Sequence, residues 1–254
     1  MVARAIRTAG ECGRVDLLPA IGGWLDQGRQ ADPAIRYWSA WSAILLGDEE
    51  GYALGALQSI VLQPHAPQRD ALRLLCLWLQ DQQLRTYLQN LPQTLTDAVL
   101  LVEAIGWSGQ AGSAAWLIEQ MRIAPLARAA GESFRLITGF DFEDHQAVIE
   151  APPSQSESDQ AAPYAAYPYP DADKVATWWQ ANQDACYKAG SRLLLGRPIT
   201  LEWLTDILEQ GEQAHRELAA LHHAVLRPGN LLAPTHAHAM IQWLRVQQLK
   251  ESES

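Results

Sequence analysis

Apolar residues recur three and four positions apart through most of the chain, and each stretch is ended by a Gly, Pro or polar break. That is the signature of successive amphipathic helices arranged as hairpins. Leu17, Leu18, Ile21, Trp24 and Leu25 share one face and predict a first helix over 16–25, ended at Gly28. Asp32 and Pro33 then offer an N-cap and a first-turn proline for the clearest helix in the chain, which runs to Gly47. Its face of Ile35, Trp38, Ser39, Ser42, Leu45 and Leu46 mixes large and small residues, and the small ones permit close approach of a neighbouring helix. Trp38 and Trp41, three apart, are expected in the core, and 52–62 forms the return helix.

A second hairpin is predicted after the break at 63–67, with helices over 70–79 and 82–88. A third opens at Thr94 or Thr96, passes through Val99, Leu100, Val102 and Ile105 to Gly106, and returns over 114–121. One more helix follows over 122–137, interrupted by Pro125 and closed by Gly139. The breaks inside the hairpins fall near Gly47, Gln80 and Gly106, a spacing compatible with helical-pair repeats and variable loops. Residues 150–170 are rich in Pro, Ser, Tyr and acid without an apolar period, and read as a linker or long loop. Beyond it, Asp171 or Asp173 caps a helix through Val175, Trp178 and Trp179 to Cys186, and 193–200 is a short apolar segment that turns. Thr200 caps a long helix to about Val225, Arg227-Pro228-Gly229 breaks it, and a last helix spans 235–249.

No stretch alternates as a strand would. The expected fold class is therefore all-α, a helical-hairpin solenoid over 1–149, a linker over 150–170, and a C-terminal helical region over 171–249 packing on the repeats.

Composition narrows the function classes. The net charge is −10, divided as −6 over residues 1–150 and −4 over 151–254, so neither half attracts a phosphate backbone and no dense Lys/Arg stripe reverses this locally. Cys12, Cys76 and Cys186 are three, far apart and without CxxC spacing, which signals neither a disulfide framework nor zinc and points to a reducing, cytoplasmic setting. No segment has the length of a signal peptide core or a membrane span. Ten Trp against three Phe place indoles at helix seams or on a binding face, since a buried indole N–H needs a partner.

Catalytic patterns are missing. There is no G-x-S-x-G, P-loop, G-x-G-x-x-G or activated cysteine. His215, His222, His223, His236 and His238 crowd late in the sequence, but the helical i, i+4 pair with an intervening glutamate is absent, so they are expected as surface histidines and no metal or cofactor is expected. Asp141, Glu143 and Asp144 follow the Gly139 turn with Phe140 and Phe142 between them, an acidic loop expected to be solvated rather than catalytic, with a negative patch for a basic partner as the further reading. Asp48, Glu49 and Glu50 form a second acidic run, which also fits the acid-rich start of a helix. Trp178 and Trp179 lie about 100° apart on one helix, so one is expected in the core and the other against Tyr164, Tyr167 and Tyr169 or free for a partner.

The blocks 32–57 and 127–141 resemble short bacterial HEAT-like repeats, of the kind also found in phycobilisome lyases. The string Ala129-Ala130-Gly131-Glu132-Ser133-Phe134-Arg135-Leu136-Ile137-Thr138-Gly139, with Trp178-Trp179 and Leu194-Leu195-Gly196-Arg197-Pro198-Ile199-Thr200, looks like an uncharacterised bacterial HEAT-like repeat family often encoded among type VI secretion genes. The resemblance spans about 17–227. Relative to that family the chain starts close to its first helix, so N-terminal repeats are expected to be absent or replaced by first helices that act as a cap. The resemblance implies a non-enzymatic protein that binds another protein, as an immunity protein or an adaptor for a secreted effector. Asp141, Glu143, Asp144, Trp178, Trp179, Tyr167 and Tyr169 are its candidate contact residues. The rival classes are a HEAT-like enzyme, which needs a deep polar pocket (chromophore lyase) or a basic concave face (DNA glycosylase), and a self-assembling scaffold.

Overall fold

A computed structural model describes residues 1–26, 32–64, 67–151, 164–189 and 192–253. The expected breaks at Gly28 and at His65-Ala66, and residues 152–163 of the expected linker, lie outside them. The fold is all-α: the described residues form thirteen α-helices, three short 3-10 turns and one two-stranded hairpin. They are α1 (Val2–Glu11), α2 (Leu18–Asp26), α3 (Pro33–Leu46), α4 (Tyr52–Val61), α5 (Gln68–Trp78), α6 (Asp81–Asn90), α7 (Ala98–Ser108), α8 (Ala114–Met121), α9 (Ala127–Thr138), α10 (Ala172–Ala189), α11 (Leu201–Gln210), α12 (Gln213–Leu226) and α13 (Ala239–Glu253). None is long and apolar enough to cross a membrane. The contacts group into two compact units, Met1–Leu84 with Thr200–Ser254, and Arg85–Ile199, so the segment 171–249 is divided between them at Thr200.

Side-chain caps mark several helix starts. Asp32 accepts the N–H of Ala34 at 2.7 Å, Asp97 that of Leu100 at 3.0 Å, and Thr200 that of Trp203 at 3.2 Å. Asp48 is buried and accepts the N–H groups of Tyr52 and Ala53, which makes that acid a helix cap rather than a surface charge. Several expectations fail for identifiable reasons. A helix over 2–11 precedes the one expected first; it is strongly amphipathic, but the residues it buries, Ile6, Ala9 and Gly10, include only one large apolar side chain. The long helix after Thr200 is two helices separated at Gly211, and the last begins at Ala239 instead of Thr235. Residues 122–126 form a turn ahead of α9.

The hairpin reading holds for α3 with α4, which pack on each other, and is revised elsewhere. Within the first unit α1 and α2 both pack on α3, and within the second α7 and α8 both pack on α9. The two trios share a pattern 96 positions apart: Gly10 with Gly106, left-handed Gly13 with Gly109, a 3-10 turn at Val15–Leu17 with one at Ala111–Ser113, and a helix start at 18 with one at 114. At each crossing a glycine meets a serine. Ser42 donates its hydroxyl hydrogen to the Ile6 carbonyl at 2.8 Å, and Ser133 does the same to the Val102 carbonyl at 3.1 Å. Each acceptor lies one helical turn before the glycine, so the hydroxyl is satisfied in a dry seam.

The C-terminal ends of these helices are closed by segments from later in the chain. In the first unit the N–H of Gly229 donates to Leu45 and that of Leu232 to Glu11, at 2.8 and 2.9 Å. In the second, the hairpin of β1 (Leu193–Leu194) and β2 (Arg197–Pro198) carries Leu195 and Gly196 at positive φ in its turn. Their N–H groups donate to Leu136 and Ile137 at the end of α9, while Leu193 donates to Gly109 at the end of α7. Orphan carbonyls of a helix end are thereby paired without water.

Candidate functional site

Of the sequence-derived candidates, Asp141, Glu143 and Asp144 lie in a turn next to Trp178, whereas Trp179 is in the core and Tyr167 and Tyr169 lie elsewhere. After left-handed Gly139, residues 141–147 wind into a tight turn in which the Asp141 carboxylate accepts the N–H groups of Glu143 at 2.8 Å and Asp144 at 3.0 Å. The Asp144 bond above all, and then that from Glu143, hold the Asp141 carboxyl below the usual carboxylate range even though burial pushes the other way more strongly than the Glu143 bond pulls it down. The turn ends at Gln146, φ +50°, whose carbonyl accepts from the Lys174 ammonium at 2.6 Å. Because the folded-state pKa of Asp141 is depressed, the order it confers is full above the ordinary carboxylate range and is lost as pH falls through the lowered value. An NMR titration should show the Glu143 and Asp144 amide resonances moving together at that acid step in the native protein, and no such step in Asp141→Asn.

The rings behind the turn form a graded cluster. Phe140 is buried, lies edge-on to Phe142 and Phe134, and stacks with His145 at 4.6 Å and an interplanar angle of 13°. Trp178 is half-buried and meets Phe140 at 4.9 Å and His145 at 5.9 Å. Trp179, 4% exposed, points instead into the core against Phe134 and Tyr187, and is not available to a partner. The two adjacent indoles therefore divide as the helical offset requires. Trp178 does so on Phe140 and His145, whereas the tyrosines gather elsewhere.

Tyr167 and Tyr169 lie on a strap that is pinned to Arg128 of α9. The Arg128 guanidinium donates to the Tyr167 carbonyl at 3.0 Å and sits 5.6 Å from the Tyr169 ring. The Tyr164 hydroxyl donates to the buried Glu103 carboxylate, and its ring lies 5.4 Å from Tyr167. Backbone bonds from Ile149 to Tyr169 and from Asp171 to Ala147 complete the strap. These tyrosines hold the segment in place, with Tyr167 and Tyr169 only half-buried.

Between the turn and the start of α10 is an open cavity of about 480 Å³, lined by Phe140, His145, Ala147, Asp171, Asp173, Lys174, Thr177 and Trp178. Asp171 caps α10 by accepting from Asp173 and Lys174, and Asp173 pairs with Arg122 at 2.7 Å. Sequence reasoning missed His145, Asp171 and Thr177 as part of this surface, because only the return of the strap brings 171–178 beside 140–147. Both edge carboxylates are ion-paired, Asp173 with Arg122 and Asp171 with Lys174 at 3.9 Å, so the open feature of the cavity is its aromatic floor.

Elsewhere the chemistry is quiet. In the first unit an open cavity of about 920 Å³ is lined by Arg4, Arg7, Arg14, Cys12 and Trp38, yet Arg7 pairs with Glu11 at 2.7 Å and Arg14 with Asp16 at 2.6 Å. Trp38, expected in the core, is half-buried beneath the Arg7 guanidinium at 4.5 Å, while Trp41 is buried. His215, His222 and His223 are buried on α12 and not on the surface as expected. No group of three or more His, Cys, Asp or Glu poised to hold a metal occurs among the described residues. No family model, curated protein or solved structure matches the chain.

Proposed function

We propose that this chain is a non-enzymatic helical protein that binds another protein through the acidic and aromatic face of its second unit. The observation that carries the reading is the half-buried Trp178 beside His145, in a cavity edged by Asp171 and Asp173 and adjoining the Asp141, Glu143 and Asp144 turn. A rigid indole, already partly desolvated and held on a packed floor, loses little freedom on binding, and surrounding carboxylates accelerate encounter with a basic partner. The resemblance to a family encoded among type VI secretion genes supports an immunity or adaptor role, acting by occlusion or delivery of a secreted effector in the cytoplasm.

Co-expression with the effector encoded beside the gene tests this. The native chain should capture the effector, and Trp178→Ala should weaken capture by about 2 kcal/mol, roughly thirtyfold, with native circular dichroism but a lower melting temperature, because Trp178 also packs on Phe134 and Phe140. Undiminished affinity of Trp178→Ala, or no capture by the native chain, sinks the proposal.

A further inference from the structure

Across α7 and α9 of the second unit runs the strap. Tyr164 packs on the core and donates its hydroxyl hydrogen to the Glu103 carboxylate of α7, and the Tyr167 carbonyl accepts from Arg128 of α9. The corresponding pair in the first unit is α1 and α3. The two glycine–serine crossings align Arg4 and Arg7 of α1 with Leu100 and Glu103 of α7. The Leu45 and Leu136 carbonyls, which accept from Gly229 and Leu195, extend the match along α3 and α9 and align Tyr37 with Arg128. Leu100 and Glu103 are buried, whereas Arg4 and Arg7 are exposed and no strap crosses them among the described residues. The open cavity of about 920 Å³ lies along this stretch, lined by Arg4, Arg7, Arg14 and by Trp38, which follows Tyr37. It is the counterpart of a groove that the second unit shows occupied.

We infer that the groove of the first unit takes an extended, acidic segment of another protein that carries an aromatic side chain. The second unit shows the shape of such an occupant: a strap that reaches from one helix to the other, with a tyrosine at the first and a backbone carbonyl at the second. The chemistry of the first anchor is inverted between the units. Where Glu103 accepts a hydroxyl hydrogen, the first unit has Arg7, which can only donate, so the group it meets must be an acceptor. Trp38 lies 4.5 Å beneath the Arg7 guanidinium, steadies it by stacking, and adds an aromatic wall to the same cavity. Glu11 bonds only the Nε of Arg7, an exposed and therefore weak pair that leaves the terminal nitrogens for a second acceptor. Arg4 has no ion pair among the described residues, while Arg14 is held by both Asp16 oxygens. Among the described residues no carboxylate lines the cavity. In a chain of net charge −10, an acidic segment is therefore drawn to this groove and repelled by the chain as a whole.

Fluorescence anisotropy with two labelled peptides tests the inference on the full chain. Both carry the Tyr-Ala-Ala-Tyr-Pro order of residues 164–168, one flanked by glutamates and the other by lysines. The glutamate peptide should bind the native chain at least about tenfold more tightly than its twin, and less tightly as salt rises. Arg4→Glu with Arg7→Glu should reverse that order with an unchanged melting curve. Arg4→Gln, at a side chain with no ion pair to lose, should weaken the glutamate peptide alone. Trp178→Ala should leave both peptides unaffected, which separates this groove from the face of the second unit. No binding of the glutamate peptide, equal binding of the two, undiminished binding of the glutamate peptide by the double variant, or its loss in Trp178→Ala overturns the inference. So does self-association of the native chain that the glutamate peptide competes away, which would give the groove to a second copy.

Discussion

Phe134→Ala is expected to destabilise the second unit by about 3–5 kcal/mol, the cost of deleting a fully buried aromatic ring and leaving its cavity. The ring is 0% exposed and is touched edge-on by Phe140 at 5.8 Å, Trp178 at 6.1 Å and Trp179 at 6.0 Å. Both indoles and the floor of the candidate site thus converge on one side chain. Neighbouring rings are too rigid to collapse into the space, so the cavity persists rather than being absorbed. Chemical denaturation followed by tryptophan fluorescence measures the loss, and a change below about 1 kcal/mol would contradict this account of the cluster. Phe134→Leu, which keeps most of the volume, should recover more than half of the stability.

Glycine substitutions should divide sharply according to what each glycine faces. A Cβ on Gly106 would sit 2.7 Å from the Ser133 Cβ and 2.9 Å from its Cα, so α7 and α9 must move apart to admit it. Alanine there gains roughly 1 kcal/mol of helix propensity but pays overpacking of about 1–3 kcal/mol, and valine should fall well below both. Gly55, in the middle of α4, has nothing within 4 Å of the same added atom, so Gly55→Ala should stabilise the first unit by about 0.5–1 kcal/mol. Thermal or urea melts of the three variants decide the matter. A destabilised Gly55→Ala or a stabilised Gly106→Ala would show that the seam geometry is misjudged. Adding Ser133→Gly to Gly106→Ala should restore part of the loss as a favourable coupling, since it removes the atom that is struck.

The local chemistry of helix ends was legible at once. Asp32-Pro33 with Gly47 bounded α3, Gly139 ended α9, and Thr200 opened α11, because capping depends on residues within one turn of each other. The close approach implied by Ser39 and Ser42 was legible too, since both are fully buried. What the serine met was not: Gly10 lies on a helix whose buried face is made mostly of small residues, and the same pairing recurs at Gly106 and Ser133. Of the candidate site, the acidic turn and the division of the two indoles followed from spacing. The separation of Tyr167 and Tyr169 toward Arg128, and the recruitment of His145 and Asp171, depended on where a strap returns.

The sequence by itself determined the all-α class, the starts of several helices, the faces they bury and the net repulsion of polyanions, all properties carried by period, caps and charge. Tertiary structure alone decided which helices pair, that the 193–198 and 227–232 segments close helix ends laid down far earlier in the chain, and that Trp178 faces a cavity while Trp179 is core. The physical reason is one of range. Caps and periods are energies between near neighbours, whereas pairing and exposure are set by close packing among residues distant in sequence, where a single Cβ or hydroxyl decides the fit.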